Sequence, residues 1–448
     1  MQNHLFLRTS PLKLFFLAAI PGAISMLSSS LYQLIDGILV GRFLGETAFA
    51  ALNLAMPFVI VNFALADLVG VGSAVPISIS LGQKQEKEAN NIFSCACLMI
   101  VLTGILMGAI LFAAAPWLMA LMGAQGEFAE FAVSYLRVYA LCSPVTTIVF
   151  AMDNYLRICG KIRYSMALNI IMSVLSAVLE FLFLYVFGWG IWAAALATCS
   201  GMCICAVLAL IPFFLRKTQL RYIRPRFHAK MFRQILSCGA PTFLSNIAGR
   251  IASILMNMLL VRMGGETAVS VYGILMYVDG FIQPLIYGAC DSLQPAVGYN
   301  WGAGQYSRVR AIERCCFIAS AVISLVSALV IFLIPETICS LFLAPSETDS
   351  LSLAVSALYL FDLTYLTRWF SFAMQSYMLA VGKPAPASLL SISVALVFPV
   401  LLMAVLYPLG LTGLWLNLPI ASLLTGLLAV GVFLKLRSQF YRQDEPIT

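Results

Sequence analysis

Charge is what this sequence has least of. Asp, Glu, Lys and Arg make up 10% of its 448 residues, against about 25% in a soluble domain. Histidine is nearly missing: His4 and His228 are the two present, and the pattern places both in loops. A buried haem or histidine-held metal therefore has no ligands. The glycine-rich loop that cradles a nucleotide is missing, as is the strained elbow that exposes a catalytic serine. The usual His/Asp metal sets are missing too, so the expectation is not an enzyme, with no ATP and no nucleic acid as partner. No cleavable leader is expected either. The run from Leu14 is too long, lacks a small-residue cleavage site and contains Asp36. Cysteine is plentiful, at twelve. Most lie in apolar runs, with spacings that match neither a disulfide framework nor a zinc site. They read as small hydrophobes.

What the sequence does have is apolar length: 62% of the residues are hydrophobic. No soluble core hides that much, so the solvent is lipid, where a spanning helix needs about 20 mostly apolar residues. Twelve such runs are expected, at 13–40, 52–80, 92–122, 130–156, 164–187, 191–215, 232–262, 268–299, 311–340, 351–379, 388–408 and 412–436. The loops between them alternate in charge. Among the 26 Lys and Arg, Arg42 and Arg262 lie in one set of loops, and Arg137, Arg250 and Arg368 fall inside runs. All the others lie in the alternate set and at the two termini. Basic loops stay in the cytoplasm, so both termini are expected there, with the basic stretch 216–231 as a cytoplasmic linker that also meets anionic lipid.

The chain is a duplication. Pro21, Ser25, Arg42 and Gly45-Glu46-Thr47-Ala48 return as Pro241, Ser245, Arg262 and Gly265-Glu266-Thr267-Ala268. Phe150-Ala151-Met152, Tyr155 and Gly160-Lys161 return as Phe372-Ala373-Met374, Tyr377 and Gly382-Lys383. Six runs per half is an even number, so both halves enter from the same side. The expected fold is an all-α integral membrane protein with two six-helix lobes, 1–215 and 232–448, related by a pseudo-two-fold axis along the membrane normal. Parallel repeats of this kind build transporters with a cavity between the bundles. No filter-like loop or charge ladder points to a channel, and a monomer is expected.

The first run carries Ser25, Ser29, Tyr32 and Asp36, and the fifth carries Asn169, Ser173, Ser176 and Glu180. Both sets fall on one face of a helix. At about 1.5 Å per residue, Asp36, Glu180 and Thr198 all lie about 9–12 Å in from the outer face. Ionisable groups in a bilayer are costly and read by default as functional. Oxygen ligands suit a hard cation such as Na+; alternatively, two close carboxylates share a proton. Asp67, in the second run, is expected to join this network or face the cavity. Asp153 and Arg157 read as a surface pair. In the second half, Arg250 on the seventh run lies at the level of Asp279 and Asp362, which are its expected ion-pair partners. Asp291 lies deeper. With Tyr32 and Met256, these residues are the candidates for a substrate cavity, whose aromatics and methionines suit flat amphipathic cations.

The stretch Gln294-Pro295-Ala296-Val297-Gly298-Tyr299-Asn300-Trp301-Gly302-Ala303-Gly304-Gln305 is read as a loop after the eighth run. It has a weaker copy in Ala74-Val75-Pro76 and Leu81-Gly82-Gln83. Together with Leu156-Arg157 and Gly160-Lys161, it resembles the multidrug and toxic-compound extrusion (MATE) family, in its bacterial DinF/MepA-type branch. The resemblance implies a secondary antiporter of the bacterial inner membrane, driven by Na+ or H+, that exports amphipathic and often cationic compounds. It also implies a cation site in the amino-terminal lobe at Asp36, Ser176, Glu180 and Thr198. Glu180 stands where many relatives have Asp, and Ser176 where they have Asn, which leaves the ion open between Na+ and H+. A flippase of the same superfamily, moving lipid-linked saccharides, is the alternative. Its cavity would be rich in cationic residues; here only Arg250 and Arg368 could supply them, which favours efflux.

Overall fold

The computed structural model describes residues 3–342 and 348–441, and these are almost wholly helical. A short helix, α1 (Asn3–Arg8), leads into six long helices. These are α2 (Pro11–Leu44), α3 (Thr47–Gly82), α4 (Glu86–Leu121), α5 (Gly126–Ile158), α6 (Ile162–Val186) and α7 (Ile191–Phe214). After the linker come α8 (Ala229–Gly265), α9 (Thr267–Gly302), α10 (Tyr306–Leu333), the short α11 (Pro335–Ser340), α12 (Asp349–Asp362), α13 (Thr364–Ala380), α14 (Pro384–Trp415) and α15 (Asn417–Leu436). Eleven of these are long and apolar enough to cross a membrane. Helices α12 and α13 meet at a 42° bend and together form a twelfth span. The fold is therefore the expected all-helical, twelve-span membrane architecture, and helices suit lipid because they satisfy every backbone group internally.

Four local readings change. The tenth run is a bent pair of helices rather than one rod. His4 sits in helix α1, not in a loop. The Gln294–Gly302 stretch is helical too and forms the last turns of α9. Its copy is the helical end of α3, which continues to Gly82. Proline and glycine suggest breaks in water, but within lipid neighbouring helices re-satisfy the freed groups.

The turns that join α2 to α3 and α8 to α9 repeat in detail. Gly45 and Gly265 adopt φ of +87° and +62°, a left-handed conformation that glycine reaches without strain. Packing then divides the molecule along its axis. At the end that carries the basic loops, one core joins both lobes and includes Val69, Tyr155, Leu293, Tyr299 and Tyr377. Towards the other face it separates in two. One part centres on Tyr135 and Leu136 in the amino-terminal lobe, the other on Phe361 and Tyr365 in the carboxyl-terminal lobe.

Small residues make the basic-end seam possible. A Cβ on Gly239 would overlap the Leu68 carbonyl of α3, and one on Gly302 would overlap the Ile79 carbonyl. In membranes, where no hydrophobic drive separates helix from lipid, such close backbone approach is a main source of helix association. The linker adds hydrogen bonds to this end. The backbone N–H of Arg221 donates to Asn90 and that of Arg226 to Asn91, at 2.7 and 2.8 Å. The lobes are thus closed on each other at the basic face and packed separately towards the other.

Candidate functional site

Helices α2, α6 and α7 bring four of the expected oxygen-bearing residues into one cluster. Glu180 is fully buried and Asp36 is 7% exposed. Their carboxyl groups face each other within hydrogen-bonding reach. Tyr32, one turn before Asp36, donates its hydroxyl to Glu180 Oε2 at 3.3 Å and lies 2.5 Å from Thr198 Oγ1. Thr198 also donates to the Ala194 carbonyl, at 3.3 Å. Ser176 sits one turn from Glu180 on α6, buried against Gly201 of α7, whose missing side chain gives its hydroxyl room.

The cluster is not self-sufficient. Among the described residues, Asp36 Oδ1, Glu180 Oε1 and Ser176 Oγ are buried and have no hydrogen-bond partner. Unsatisfied buried oxygens are rare in native proteins and call for an explanation such as an ion or a proton. Two facing carboxylates with no cation between them repel, so the pair needs a shared proton or a bound cation. The donor set is all oxygen, which fits a hard monovalent cation as well as it fits a proton. Among the described residues, no group of three or more His, Cys, Asp or Glu gathers to hold a metal ion.

Tyr32 is therefore placed away from the expected substrate cavity, beside the carboxyl pair. Helical spacing already put it on the Asp36 face, and a hydroxyl one turn away reaches the same pocket. Tyr139 of α5, adjoining Thr198, and Tyr135 beside it close the cluster from behind. No sequence pattern singled them out, because an aromatic in an apolar run looks like packing.

Asp67 does not join this cluster. The charged group whose field reaches it is Asp153, towards the basic face. The Asp153–Arg157 pair, read as a surface feature, is instead mostly buried. Its charges lie 2.7 Å apart with side chains 21% and 7% exposed. Asn169 donates to Asp153 Oδ1 at 2.8 Å, and the Ser165 hydroxyl donates to the same oxygen. The i, i+4 spacing was visible in the sequence; that α6 covers it was not.

The carboxyl-terminal lobe holds a polar cavity of about 380 Å³ between α8, α9, α13, α14 and α15. Arg250, Met256, Asp279 and Arg368 line it. The expected pairing of Arg250 with Asp279 or Asp362 is not what the structure shows. Arg368 holds Asp279 at 2.9 Å, and the Tyr365 hydroxyl donates to the same oxygen at 3.0 Å. Depth estimates place residues along a helix but do not fix which way they face. Arg250 is exposed, and among the described residues it makes no ion pair. Asp362, at the α12–α13 bend, is buried and its Oδ1 has no hydrogen-bond partner among the described residues. Asp291 is pinned outside the cavity lining by Gln294 at 2.8 Å and Ser376 at 2.7 Å.

Comparison with known proteins agrees with this architecture. The chain is 25% identical to the multidrug export protein MepA of Staphylococcus saprophyticus over 98% of its own length and 97% of the relative's. It is 24% identical to MepA of Staphylococcus aureus over the same shares. Among solved structures, a MATE protein in complex with MaL6 superposes with a TM-score of 0.92 at 24% identity, over 99% of both chains. A MOP superfamily transporter from Pyrococcus furiosus, described as having a binding pocket of reversed polarity, gives 0.91 at 23% identity, again over 99% of both chains. The family model described as MatE matches residues 21–182 and 241–406, one stretch in each half, and the chain belongs to that family.

Proposed function

We propose that this protein is a cation-coupled antiporter that exports amphipathic organic compounds across the bacterial cytoplasmic membrane by alternating access. The observation that carries the reading is the facing pair Asp36 and Glu180 with their unsatisfied buried oxygens. A site of this kind binds and releases H+ or Na+ as its access alternates, with Tyr32, Ser176 and Thr198 supplying neutral oxygens. Asp67 sits beside Asp153 and serves as a second ionisable station between the site and the basic face. The relatives named as multidrug export proteins support the cargo class.

The positive-inside rule puts the basic face and both termini in the cytoplasm. The joined core at that face then corresponds to the outward-facing state. Breaking that seam and closing the separately packed halves would give the inward-facing one. A single chain holds the whole pathway, so the working unit is a monomer in lipid.

A second reading has its own observation. With Asp279 held by Arg368, and Arg250 without an ion pair among the described residues, the carboxyl-terminal cavity carries excess positive charge. That favours an anionic amphiphile, such as a lipid-linked saccharide phosphate, over a cation. Dye uptake into inside-out vesicles, with Na+ and pH gradients imposed separately, separates the two. Gradient-driven accumulation of a cationic dye supports export of cations. No cationic dye movement, together with movement of an anionic amphiphile, supports the second reading.

A further inference from the structure

The chain around the linker carries charge of one sign alone. From residue 181 to residue 265 no Asp or Glu occurs, the nearest being Glu180 and Glu266. Most of the basic residues in that stretch gather in the linker and the first turns of α8. The linker is neither helix nor strand over most of its length, yet α4 holds it down. The Arg221 N–H donates to Asn90 at 2.7 Å and the Ile223 N–H to Ser94 Oγ at 2.9 Å. Asn91 takes both backbone groups of Arg226: it accepts from the N–H at 2.8 Å and donates to the carbonyl at 2.9 Å. Thr218 and Leu220 are buried beneath. With these backbone groups turned to α4, the side chains are left to the outside. Arg216, Arg221, Arg224, Arg226, Lys230 and Arg233 are all exposed. So are the rings of Tyr222 and Phe227, at 63% and 49%.

We infer that this strap is a docking surface for the anionic phospholipids of the leaflet at the basic face, with its arginines on the phosphates and Tyr222 and Phe227 seated among the headgroups. Three observations point to lipid rather than to a soluble polyanion. The first is the unopposed charge, which an anionic leaflet attracts. The start of α4 beside the strap brings Glu86 and Glu88 but also Lys84 and Lys87, so the sign is unchanged. The second is the exposed rings. Aromatic side chains sit favourably at headgroup level, whereas a soluble anion would meet the charges and leave the rings in water. The third is the pinned backbone. It presents guanidinium groups, whose fork matches phosphate oxygens, without the cost of ordering a loose loop on binding. The strap joins two spanning helices, α7 and α8, so it lies at the membrane surface. It is apart from both the Asp36–Glu180 cluster and the Asp279 cavity, and lipid binding there does not depend on the export reading.

The test uses the full-length protein, purified and delipidated in detergent. Dioleoyl phosphatidylglycerol or dioleoyl phosphatidylcholine is titrated in, bound lipid is counted by native mass spectrometry, and the melting temperature is read alongside. Phosphatidylglycerol is expected to bind at least tenfold more tightly than phosphatidylcholine and to raise the melting temperature, with the difference shrinking as salt is added. The triple variant Arg221→Gln, Arg224→Gln, Arg226→Gln keeps the backbone bonds to α4 and is expected to weaken phosphatidylglycerol tenfold or more. Tyr222→Ala with Phe227→Ala keeps every charge and is expected to weaken it several-fold with an unchanged salt dependence. Should either variant fail to fold, competition on the unmodified protein decides. Glycerol phosphate, the headgroup anion without its chains, should leave phosphatidylglycerol bound at a tenfold excess. Equal binding of the two lipids, full phosphatidylglycerol binding in the triple variant or in the ring-less variant, or displacement by glycerol phosphate would each overturn the proposal.

Discussion

At the scale of single residues, the account turns on which carboxylates have partners. Asp36→Asn is expected to abolish ion-driven transport, because an amide neither takes up nor releases a proton and binds a cation weakly. Glu180→Gln should act similarly, and both proteins should insert and fold, since the change removes buried charge without changing volume. Transport assays beside thermal unfolding of the purified variants check both parts. Asp279 presents the opposite case. Arg368→Ala leaves its carboxylate buried and uncompensated, a loss of about 3–5 kcal/mol when a buried pair is broken. Side-chain exposures of 21% and 12% put the expected cost at the lower end. Adding Asp279→Asn should recover part of it, whereas Arg250→Ala should stay within about 0.5 kcal/mol, as a group without a buried partner does. Equal losses for Arg250→Ala and Arg368→Ala would refute the assignment. Helical spacing made the faces of α2 and α6 legible in the sequence, and depth set Asp36, Glu180 and Thr198 at one level; Ser176 was added to them by the family resemblance. The partner of Asp279, Arg368 rather than Arg250, was not legible, because spacing gives depth within one helix and says nothing of rotation between helices.

At the scale of elements, the seam between α3 and the pair α8 and α9 depends on residues with no side chain. Gly239→Ala puts a methyl group against the Leu68 carbonyl. Overpacking of this kind costs about 1–3 kcal/mol and is felt only where the lobes touch. The variant should therefore shift the population away from the basic-face-closed state. Ser78, 1% exposed in α3 beside Gly298 of α9, reports the change. On a background without native cysteines, Ser78→Cys should react with a maleimide several-fold faster when Gly239→Ala is present. Unchanged reactivity would mean that the seam tolerates the methyl group. The motif ending α9 shows why sequence misled here. Its glycines and proline resemble a loop in water, but in the membrane they are surfaces for a neighbouring helix: Gly302 faces α3, and Asn300 donates to the Phe6 carbonyl of α1 at 3.1 Å. The bend between α12 and α13 left no such signal, because no proline or glycine occurs anywhere in the two helices or between them.

At the scale of the whole molecule, duplication, span count and charge alternation were all readable, since each is a property of chain length and composition and needs no tertiary contact. Which face the lobes close was not readable, because the same repeat closes at either end in an alternating mechanism. The orientation has its own check: a cysteine at position 224, in the basic linker, should be protected from an impermeant reagent added outside intact cells. The central claim is that ion and cargo movement are coupled through Asp36 and Glu180. Reconstituting the protein in sealed vesicles and recording ion flux tests it most directly, with a sodium indicator and a pH indicator read separately, while a gradient of organic cation is imposed. The account predicts that cargo moving one way drives H+ or Na+ the other way, and that the Asp36→Asn, Glu180→Gln double variant shows no such counterflow. Full counterflow in the double variant, or cargo movement without either ion in the unmodified protein, would contradict it.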